Sequence, residues 1–169
     1  MIRGRWFLIP VVLVSAGIGI ALAVGGREDR PPSVEELRAF DGFALFYAGD
    51  SVDGHALESA QAVPLGASFV YGTCEPPPVL EGSCAPPVQI QLIPACLTRL
   101  ALPQERTSVR SVPGSLGGHR LELLSGDARI AIYAEHPLAV ARALRGINNG
   151  VLPGEQLPAP SDETLACAS

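Results

Sequence analysis

The stretch SFVYGTCEPPPVLEGSCAPPVQIQLIPAC, residues 68–96, decides the fold of this chain. It holds three of the four cysteines, six of the sixteen prolines and the two clearest strand patterns in the sequence. Residues 88–93 alternate apolar side chains with glutamines, which is typical of a strand with one buried face. Residues 67–73 form the second strand pattern. We therefore expect two neighbouring antiparallel strands, joined by a proline-stiffened loop with a cysteine on each side of its base.

Upstream of this stretch, the sequence predicts one helix and further strand-like segments. Residues 33–36, SVEE, form a capping box, in which a serine at the N-cap is followed three residues later by a glutamate. This box predicts a short helix over residues 34–40. Residues 43–48 are an apolar run of strand length, and residues 55–63 predict a short strand or an irregular loop.

Downstream, the clearest pattern is a helix over residues 137–146, with proline at its first position and glycine as its C-cap. Residues 121–124 and 129–133 predict a hairpin whose turn contains Gly126. The other expected elements are one or two helical turns at 95–102, a short strand at 108–112, a glycine-rich loop at 114–119 and an irregular tail at 148–169. Together these patterns predict an α+β fold, with a largely antiparallel sheet of five or six strands, one covering helix, a short N-terminal helix and stapling disulfides.

Size and charge limit the classes of partner. The chain has 169 residues, which leaves room for one domain of about 130 residues after its N-terminal segment. The formal net charge is −5, and all twelve basic residues are arginine. A mildly acidic domain without a basic patch is a poor binder of nucleic acid, because neutralising phosphates needs clustered cations. We expect no nucleic-acid partner.

The N-terminus predicts a membrane segment. Residues 6–24 are an uninterrupted apolar run of 19 residues, preceded by Arg3 and Arg5. As a helix this run spans about 28 Å, close to the thickness of the hydrocarbon core of a bilayer. The basic residues before the run favour an N-terminus inside and a domain outside. We expect residues 1–26 to be a single-pass transmembrane anchor in the cell membrane.

A cleaved signal peptide is the alternative for the same segment. The triplet Ala21-Leu22-Ala23 fits a signal-peptidase site, and cleavage after Ala23 makes the protein secreted. In either case residues 27–32 are a charged, proline-containing linker, and residues 33–169 form one extracytoplasmic α+β domain. Both interpretations place this domain outside the cytoplasm.

Four cysteines in an extracytoplasmic domain predict disulfides. Three pairings are possible, and we favour Cys74–Cys84 with Cys96–Cys167. The first bridge closes the loop between adjacent antiparallel strands, where cross-strand distances suit a disulfide. The second bridge holds down the C-terminal tail. No cysteines are spaced as C-x-x-C, so the spacing favours neither a zinc site nor a redox pair. We expect no metal and no cofactor.

Two features are candidates for binding or chemistry. His55 lies near Asp50, Asp53 and Glu58 in the sequence, which allows a histidine–carboxylate constellation, although a solvated polar loop explains the same residues. The loop between the first two cysteines contains Pro76, Pro77 and Pro78. Three consecutive prolines form a stiff recognition element or simply a tethered surface loop. The sequence shows no catalytic signature.

The domain contains, in this order, the motifs YAGDS at 47–51, FVYGTC at 69–74, GSCAPPVQIQ at 82–91, PAC at 94–96 and RALRGIN at 142–148. In these motifs the chain resembles a set of membrane-anchored or secreted proteins encoded by high-GC actinobacterial genomes. This resemblance implies an extracytoplasmic location and extracytoplasmic cysteines, and it transfers no catalytic residue.

The sequence therefore predicts a membrane-tethered extracytoplasmic domain that binds a protein partner or an envelope component and performs no catalysis. One alternative is a cell-envelope hydrolase that uses His55 with the nearby carboxylates. Another is a passive structural domain. An enzyme needs His55 within hydrogen-bond reach of a carboxylate or hydroxyl in a cleft, whereas a binding domain needs an accessible groove or patch.

Overall fold

The computed structural model of the protein describes residues 34–74, 84–97 and 105–168. The predicted anchor and linker, Ser33 of the capping box and the three prolines Pro76, Pro77 and Pro78 lie outside these residues. No helix in the described part of the chain is long and apolar enough to cross a membrane.

The fold is a largely antiparallel β-structure with few helices, as the sequence predicts. The helices are α1 (Val34–Leu37), α2 (Pro137–Ala143) and α3 (Asp162–Ala168), with a 3₁₀ turn at Ala95–Leu97. The strands are β1 (Phe46–Tyr47), β2 (Ser51–Val52), β3 (His55–Val63), β4 (Gly66–Tyr71), β5 (Val88–Pro94), β6 (Glu105–Val109), β7 (Val112–Gly117), β8 (Arg120–Ser125), β9 (Ala128–Tyr133) and β10 (Arg145–Gly146).

Eight of these strands form one antiparallel sheet in the order β2-β3-β4-β5-β9-β8-β7-β6. Two four-stranded meanders, β2 to β5 and β6 to β9, meet where β5 pairs with β9. β1 and β10 form a separate two-stranded sheet, with Phe46 opposite Gly146. The expectation of five or six strands is therefore too low.

The hydrophobic core lies on one face of the large sheet. Phe69 of β4 is opposite Ile90 of β5, which is in turn opposite Ile132 of β9, and all three side chains are fully buried. Val140 of α2 and Leu144, the residue that follows α2, belong to the same cluster. The helix contacts β6, β8 and β9. Each large side chain buried here contributes about 1.5–3 kcal/mol relative to exposure.

The strand pattern in the opening stretch is confirmed. Val88, Ile90 and Leu92 of β5 are buried, and Gln89 and Gln91 are half-buried on the opposite face of the sheet. The neighbouring strand β4 shows the same alternation. The predicted hairpin is confirmed as well, since β8 and β9 pair around a turn that contains Gly126.

The glycine-rich loop expected at residues 114–119 is wrong, because residues 114–117 belong to β7. A Cβ atom on Gly114 would lie 2.6 Å from the main-chain oxygen of Glu122 on β8. Glycine is therefore needed here for the close approach of two strands rather than for a turn. The strand expected at 108–112 is interrupted: its first two residues end β6 and its last begins β7. Between them, Arg110 and Ser111 form a tight turn with positive φ values of 52° and 71°.

The ends of the helices also differ from expectation. α1 ends at Leu37, and α2 ends at Ala143 because Leu144 is extended, with ψ at 135°. Gly146 is not a helix cap but part of β10, where the Oδ1 atom of Asn149 occupies the space that a Cβ atom would need. The apolar run 43–48 contributes only the two residues of β1 as a strand.

Residues 55–63, expected as a short strand or a loop, form the nine-residue strand β3. Its apolar side chains do not alternate regularly because the register with β4 shifts between Leu57 and Ser59. The C-terminal tail, expected to be irregular, contains α3. The hydroxyl of Ser161 accepts a hydrogen bond from the main-chain N–H of Thr164 at 3.1 Å and so caps this helix.

Disulfide bonds hold the two ends of β5. The structure joins Cys74 to Cys84 with a Cα–Cα distance of 5.7 Å, and Cys96 to Cys167 with a Cα–Cα distance of 5.2 Å. These are the two pairs that the sequence favours, and no cysteine is free. One bridge lies just before the start of β5 and the other just after its end.

Arg110 ties the C-terminal segment to the turn between β6 and β7. Its guanidinium donates hydrogen bonds to the main-chain oxygens of Leu144 at 2.5 Å, Leu152 at 2.8 Å and Glu155. The main-chain oxygen of Arg110 accepts from Leu157 N–H at 3.1 Å. Burial lowers the pKa of Arg110, and the nearby carboxylate of Glu155 acts in the opposite sense.

Tyr71 joins the sheet to the segment before β2. Its side chain is fully buried, and its hydroxyl accepts a hydrogen bond from the main-chain N–H of Ala48 at 2.8 Å. Burial raises the pKa of Tyr71 above the ordinary value of 10.0. The proton is therefore lost more readily from the unfolded chain than from the folded one.

This difference predicts how stability changes with pH. The contribution of the neutral Tyr71 is fully present below about pH 10 and is lost as the pH rises above that value. Tyr71→Phe should lower the free energy of unfolding by about 1–3 kcal/mol near neutral pH, because the N–H of Ala48 loses its partner. The variant should also lose less stability than the wild type between pH 10 and 11. Urea unfolding across this range measures both effects; an equal alkaline decline in the two proteins would contradict the assignment.

Candidate functional site

One end of the large sheet gathers all three histidines of the chain. His55 begins β3, His119 precedes β8, and His136 follows β9 at the start of α2. They share this end because the strands are antiparallel: β3, β5 and β8 begin here, while β4, β7 and β9 end here. We call this the cleft end.

The central opening at this end is a cleft of about 410 Å³, which we call the tyrosine cleft. Its floor is formed by Arg120 and Tyr133, which lie opposite each other on β8 and β9. The guanidinium carbon of Arg120 is 5.3 Å from the centre of the Tyr133 ring, within the range of a cation–π contact. The other lining residues are Ala85, Pro86, Pro87, His119, Ala134 and Glu135.

A buried ion cluster holds the side chain of Arg120 in place. Glu122 is completely buried on β8; its Oε2 accepts a hydrogen bond from Nη2 of Arg129 at 2.5 Å, and its Oε1 accepts one from Nη2 of Arg120. The side chain of Arg129 is almost fully buried, whereas that of Arg120 is 34% exposed toward the cleft end. Hydrogen-bonded pairing offsets the cost of burying these charges. Arg120 and Arg129 thus both donate to the one buried carboxylate of Glu122.

Arg120 also has an unsatisfied donor. Its Nε atom is buried, and in the described residues it has no hydrogen-bond partner. The side chain is held by Glu122 through Nη2 and covers one side of the Tyr133 ring. Arg120 is therefore a positioned cation at the wall of a cleft rather than a freely moving surface side chain.

His55 lies in a second cleft of about 530 Å³, which we call the histidine cleft. Glu58 and Thr73 line the same cleft, but Asp50 and Asp53 do not. Within residues 34–74, 84–97 and 105–168, His55 makes no hydrogen bond to a carboxylate or a hydroxyl. The structure thus brings His55 close to one of the three predicted carboxylates and forms no histidine–carboxylate pair.

The clefts adjoin one another. Ala85 and Pro87 line both the histidine cleft and the tyrosine cleft. Glu135 lines the tyrosine cleft and also a third cleft of about 400 Å³ that contains His136 and Arg142. The start of β5 therefore stands between two openings, and the Cys74–Cys84 bridge lies just before it.

No group of three potential metal ligands occurs among the described residues. The arrangement offers recognition chemistry instead: an aromatic ring, two proline rings, an arginine, histidines and a carboxylate. Sequence reasoning did not single out Arg120, Tyr133, His119 or Glu135. The predicted hairpin does indicate one of these contacts. A two-residue turn at its tip places residue 120 opposite residue 133, with both side chains on one face of the sheet.

No protein-family model, curated protein or solved structure matches this chain. The fold and the clefts define the class: a disulfide-bonded domain built on an eight-stranded antiparallel sheet, with a polar–aromatic cleft at one end.

The ion cluster gives a direct test of the site's construction. Glu122→Gln replaces the carboxylate by a neutral amide and so removes the buried ion pairs of Glu122 with Arg129 and Arg120. We expect the free energy of unfolding to fall by about 3–5 kcal/mol. Glu35→Gln is the matched control, because Glu35 pairs with Arg38 on the surface with both side chains more than 60% exposed, and it should cost less than about 1 kcal/mol. Denaturant unfolding compares the two; equal losses would contradict the role given to Glu122.

Proposed function

We propose that this protein is a non-enzymatic binding domain, held outside the cytoplasm by its apolar N-terminal residues 6–24, and that its binding surface is the cleft end of the sheet. The observation that supports this function best is the tyrosine cleft. There, an aromatic ring and a positioned arginine face an open cleft with two prolines along its side.

The lining of the cleft indicates the chemistry of the ligand. Tyr133, Pro86 and Pro87 offer flat apolar surface, on which a ring or an apolar face packs without hydrogen-bonding demands. Arg120 and His119 supply donors, and Glu135 supplies an acceptor. Such a cleft suits a ligand that combines a flat face with an acidic or hydroxyl-rich edge. Components of a cell envelope and exposed peptide segments both contain such groups.

The extracytoplasmic location is supported by two independent features. The apolar run at residues 6–24 is long enough to span a bilayer and follows two arginines. All four cysteines are used in disulfides, which persist in oxidising compartments and are rare in the cytosol. We therefore place the domain on the outer side of the cell membrane, tethered or, after cleavage at Ala23, secreted.

The hydrolase alternative has less support. A general base or nucleophile pair needs side chains within hydrogen-bond reach. His55 has Glu58 and Thr73 in its cleft but makes no hydrogen bond to either in the described structure. The same residues are equally suited to polar contacts with a bound partner.

The binding function predicts a defined result with full-length protein in detergent. Co-sedimentation with the insoluble cell-envelope fraction of the producing cell should be saturable. Tyr133→Ala and His119→Ala should each weaken it by about tenfold, since a central aromatic or charged contact contributes about 1–2 kcal/mol. Arg106→Ala, which removes an exposed arginine from β6 at the far edge of the sheet, is the control and should bind as the wild type does.

Three outcomes are distinguishable in this experiment. Binding that depends on Tyr133 and His119 supports the cleft as the site. Binding that all variants retain would place the site elsewhere and overturn the assignment of the cleft. An absence of saturable binding to the envelope fraction, together with no binding to exported proteins of the same cell, would favour a passive structural domain.

A further inference from the structure

The end of the large sheet opposite the cleft end has a different surface, and we call it the distal end. β3, β5 and β8 end there, while β4, β7 and β9 begin there. The turns from β3 to β4, from β6 to β7 and from β8 to β9 therefore lie at this end. The 3₁₀ turn that follows β5 lies there too, and the Cys96–Cys167 bridge holds α3 beside that turn.

Every large apolar side chain that is exposed in the described residues lies at the distal end. Exposed apolar residues are normal on a protein surface when they are scattered singly over it. These residues are not scattered, because none of the set lies at the cleft end. Their exposed fractions range from 37% to 60%, and the set is Val63, Leu65, Leu97, Leu152 and Leu165.

Different segments bring these side chains to one end. Val63 ends β3, and Leu65 lies in the turn that follows it. Leu97 ends the 3₁₀ turn after β5, and Leu165 lies in α3, which contacts that turn. Leu152 lies beside the turn between β6 and β7, which its main-chain oxygen contacts through a hydrogen bond of 2.8 Å. The apolar side chains are thus distributed along the distal end from β3 to β6, so a partner that contacts all of them must be broad.

The N-terminal part of the chain keeps such a broad partner within reach. The apolar run at residues 6–24 is the segment that the proposed function places in the membrane, and only residues 25–33 separate it from the first described residue, Val34. A segment of this length extends over at most about 30 Å. A six-residue strand such as β4 is itself about 20 Å long. A domain on this tether therefore stays close to the surface of the bilayer.

We propose that the distal end docks on the lipid surface of the membrane, with its exposed valine and leucine side chains inserted at the boundary between headgroups and acyl chains. This inference rests on the tether by residues 6–24, which is part of the proposed function. A tethered domain needs only weak contacts to dock, because the tether keeps the effective concentration of lipid high. In the docked state the cleft end points away from the bilayer, where a partner or an envelope component reaches it.

The charges at the distal end determine which kind of lipid contact is possible. Asp127, Glu155, Asp162 and Glu163 are exposed there, whereas the guanidinium of Arg110 is engaged with main-chain oxygens. Such a surface gains no attraction from anionic headgroups. The docking is therefore apolar. It should be at least as strong on zwitterionic phosphatidylcholine as on anionic lipid, and added salt should not weaken it.

Quenching by labelled lipid tests which end of the sheet faces the bilayer. Full-length protein is reconstituted into phosphatidylcholine nanodiscs, and an introduced cysteine carries an environment-sensitive fluorophore; the native cysteines do not react, since none is free. Leu65→Cys and Leu152→Cys place the label at the distal end. Ala56→Cys, an exposed position of β3 at the cleft end, is the matched control. Lipids with a nitroxide high on the acyl chain should quench the two distal labels at least about twofold more than the control label.

A second variant tests whether the apolar side chains cause the docking. With the label at position 65, Leu152→Asp should reduce the quenching by about half, because a carboxylate does not enter the apolar part of the bilayer. Ala56→Asp adds the same charge at the cleft end and should leave the quenching unchanged. Both positions are exposed, so the circular dichroism spectrum of each variant should stay that of the wild type.

The outcomes separate docking from tethering. Protein that does not co-elute with the nanodiscs would contradict the tether, and the docking with it. Co-elution with equal quenching at positions 56, 65 and 152 would contradict the docking alone, and so would stronger quenching at position 56. A blue shift at position 65 that rises with protein concentration, without quenching by the lipid, would assign the distal end to a second copy of the chain and overturn the proposal.

Discussion

The pairing of β5 with β4 on one side and with β9 on the other is the interaction on which the rest of the structure depends. β5 is the strand at which the two meanders meet, and Val88, Ile90 and Leu92 carry the centre of the core. The strand is also held covalently near both of its ends, by Cys74–Cys84 before it and by Cys96–Cys167 after it. On a chain-entropy view, Cys74–Cys84 stabilises the fold by about 3 kcal/mol and Cys96–Cys167, which closes the longer loop, by about 4–5 kcal/mol, chiefly by restricting the unfolded chain.

The two bridges lie at opposite ends of the large sheet, and these ends are built differently. At the cleft end, the first bridge fixes the prolines that separate the histidine and tyrosine clefts. At the other end, the second bridge, the cap at Ser161 and the hydrogen bond from Thr164 to Asp127 at 2.9 Å hold the C-terminal helix. The tail thus closes one end of the sheet, while the other end contains the three clefts.

Sequence patterns predict an element correctly where one local requirement determines its structure. Alternation predicts β5, a glycine-containing turn predicts the β8–β9 hairpin, and two neighbouring antiparallel strands favour the Cys74–Cys84 bridge between them. The patterns failed where the cause lies in a distant contact. Gly114 lies in a strand, where glycine is needed because the main chain of Glu122 on β8 approaches it closely. Gly146 lies in β10, where glycine is needed because Asn149 occupies the space that a side chain would take. Such contacts leave no periodic signal along the chain.

The candidate site divides in the same way. His55 is visible from the sequence, and the register of the predicted hairpin contains the Arg120–Tyr133 pair. Glu122 is not predictable from local pattern, because a charged residue at a strand position indicates solvent unless its two arginine partners are known. The site therefore combines residues that the chain orders locally with a charge cluster that only the folded sheet creates.

Amide hydrogen exchange on two double variants tests the central claim, that each bridge holds its own end of β5. Removing the first bridge with Cys74→Ala and Cys84→Ala should increase exchange at the cleft end, at Ala85 and in residues 133–135, and leave α3 protected. Removing the second with Cys96→Ala and Cys167→Ala should release α3 and the segment around Leu157 and leave the cleft end unchanged. If both double variants instead show the same increase across the whole sheet, the two bridges do not act on separate ends of β5.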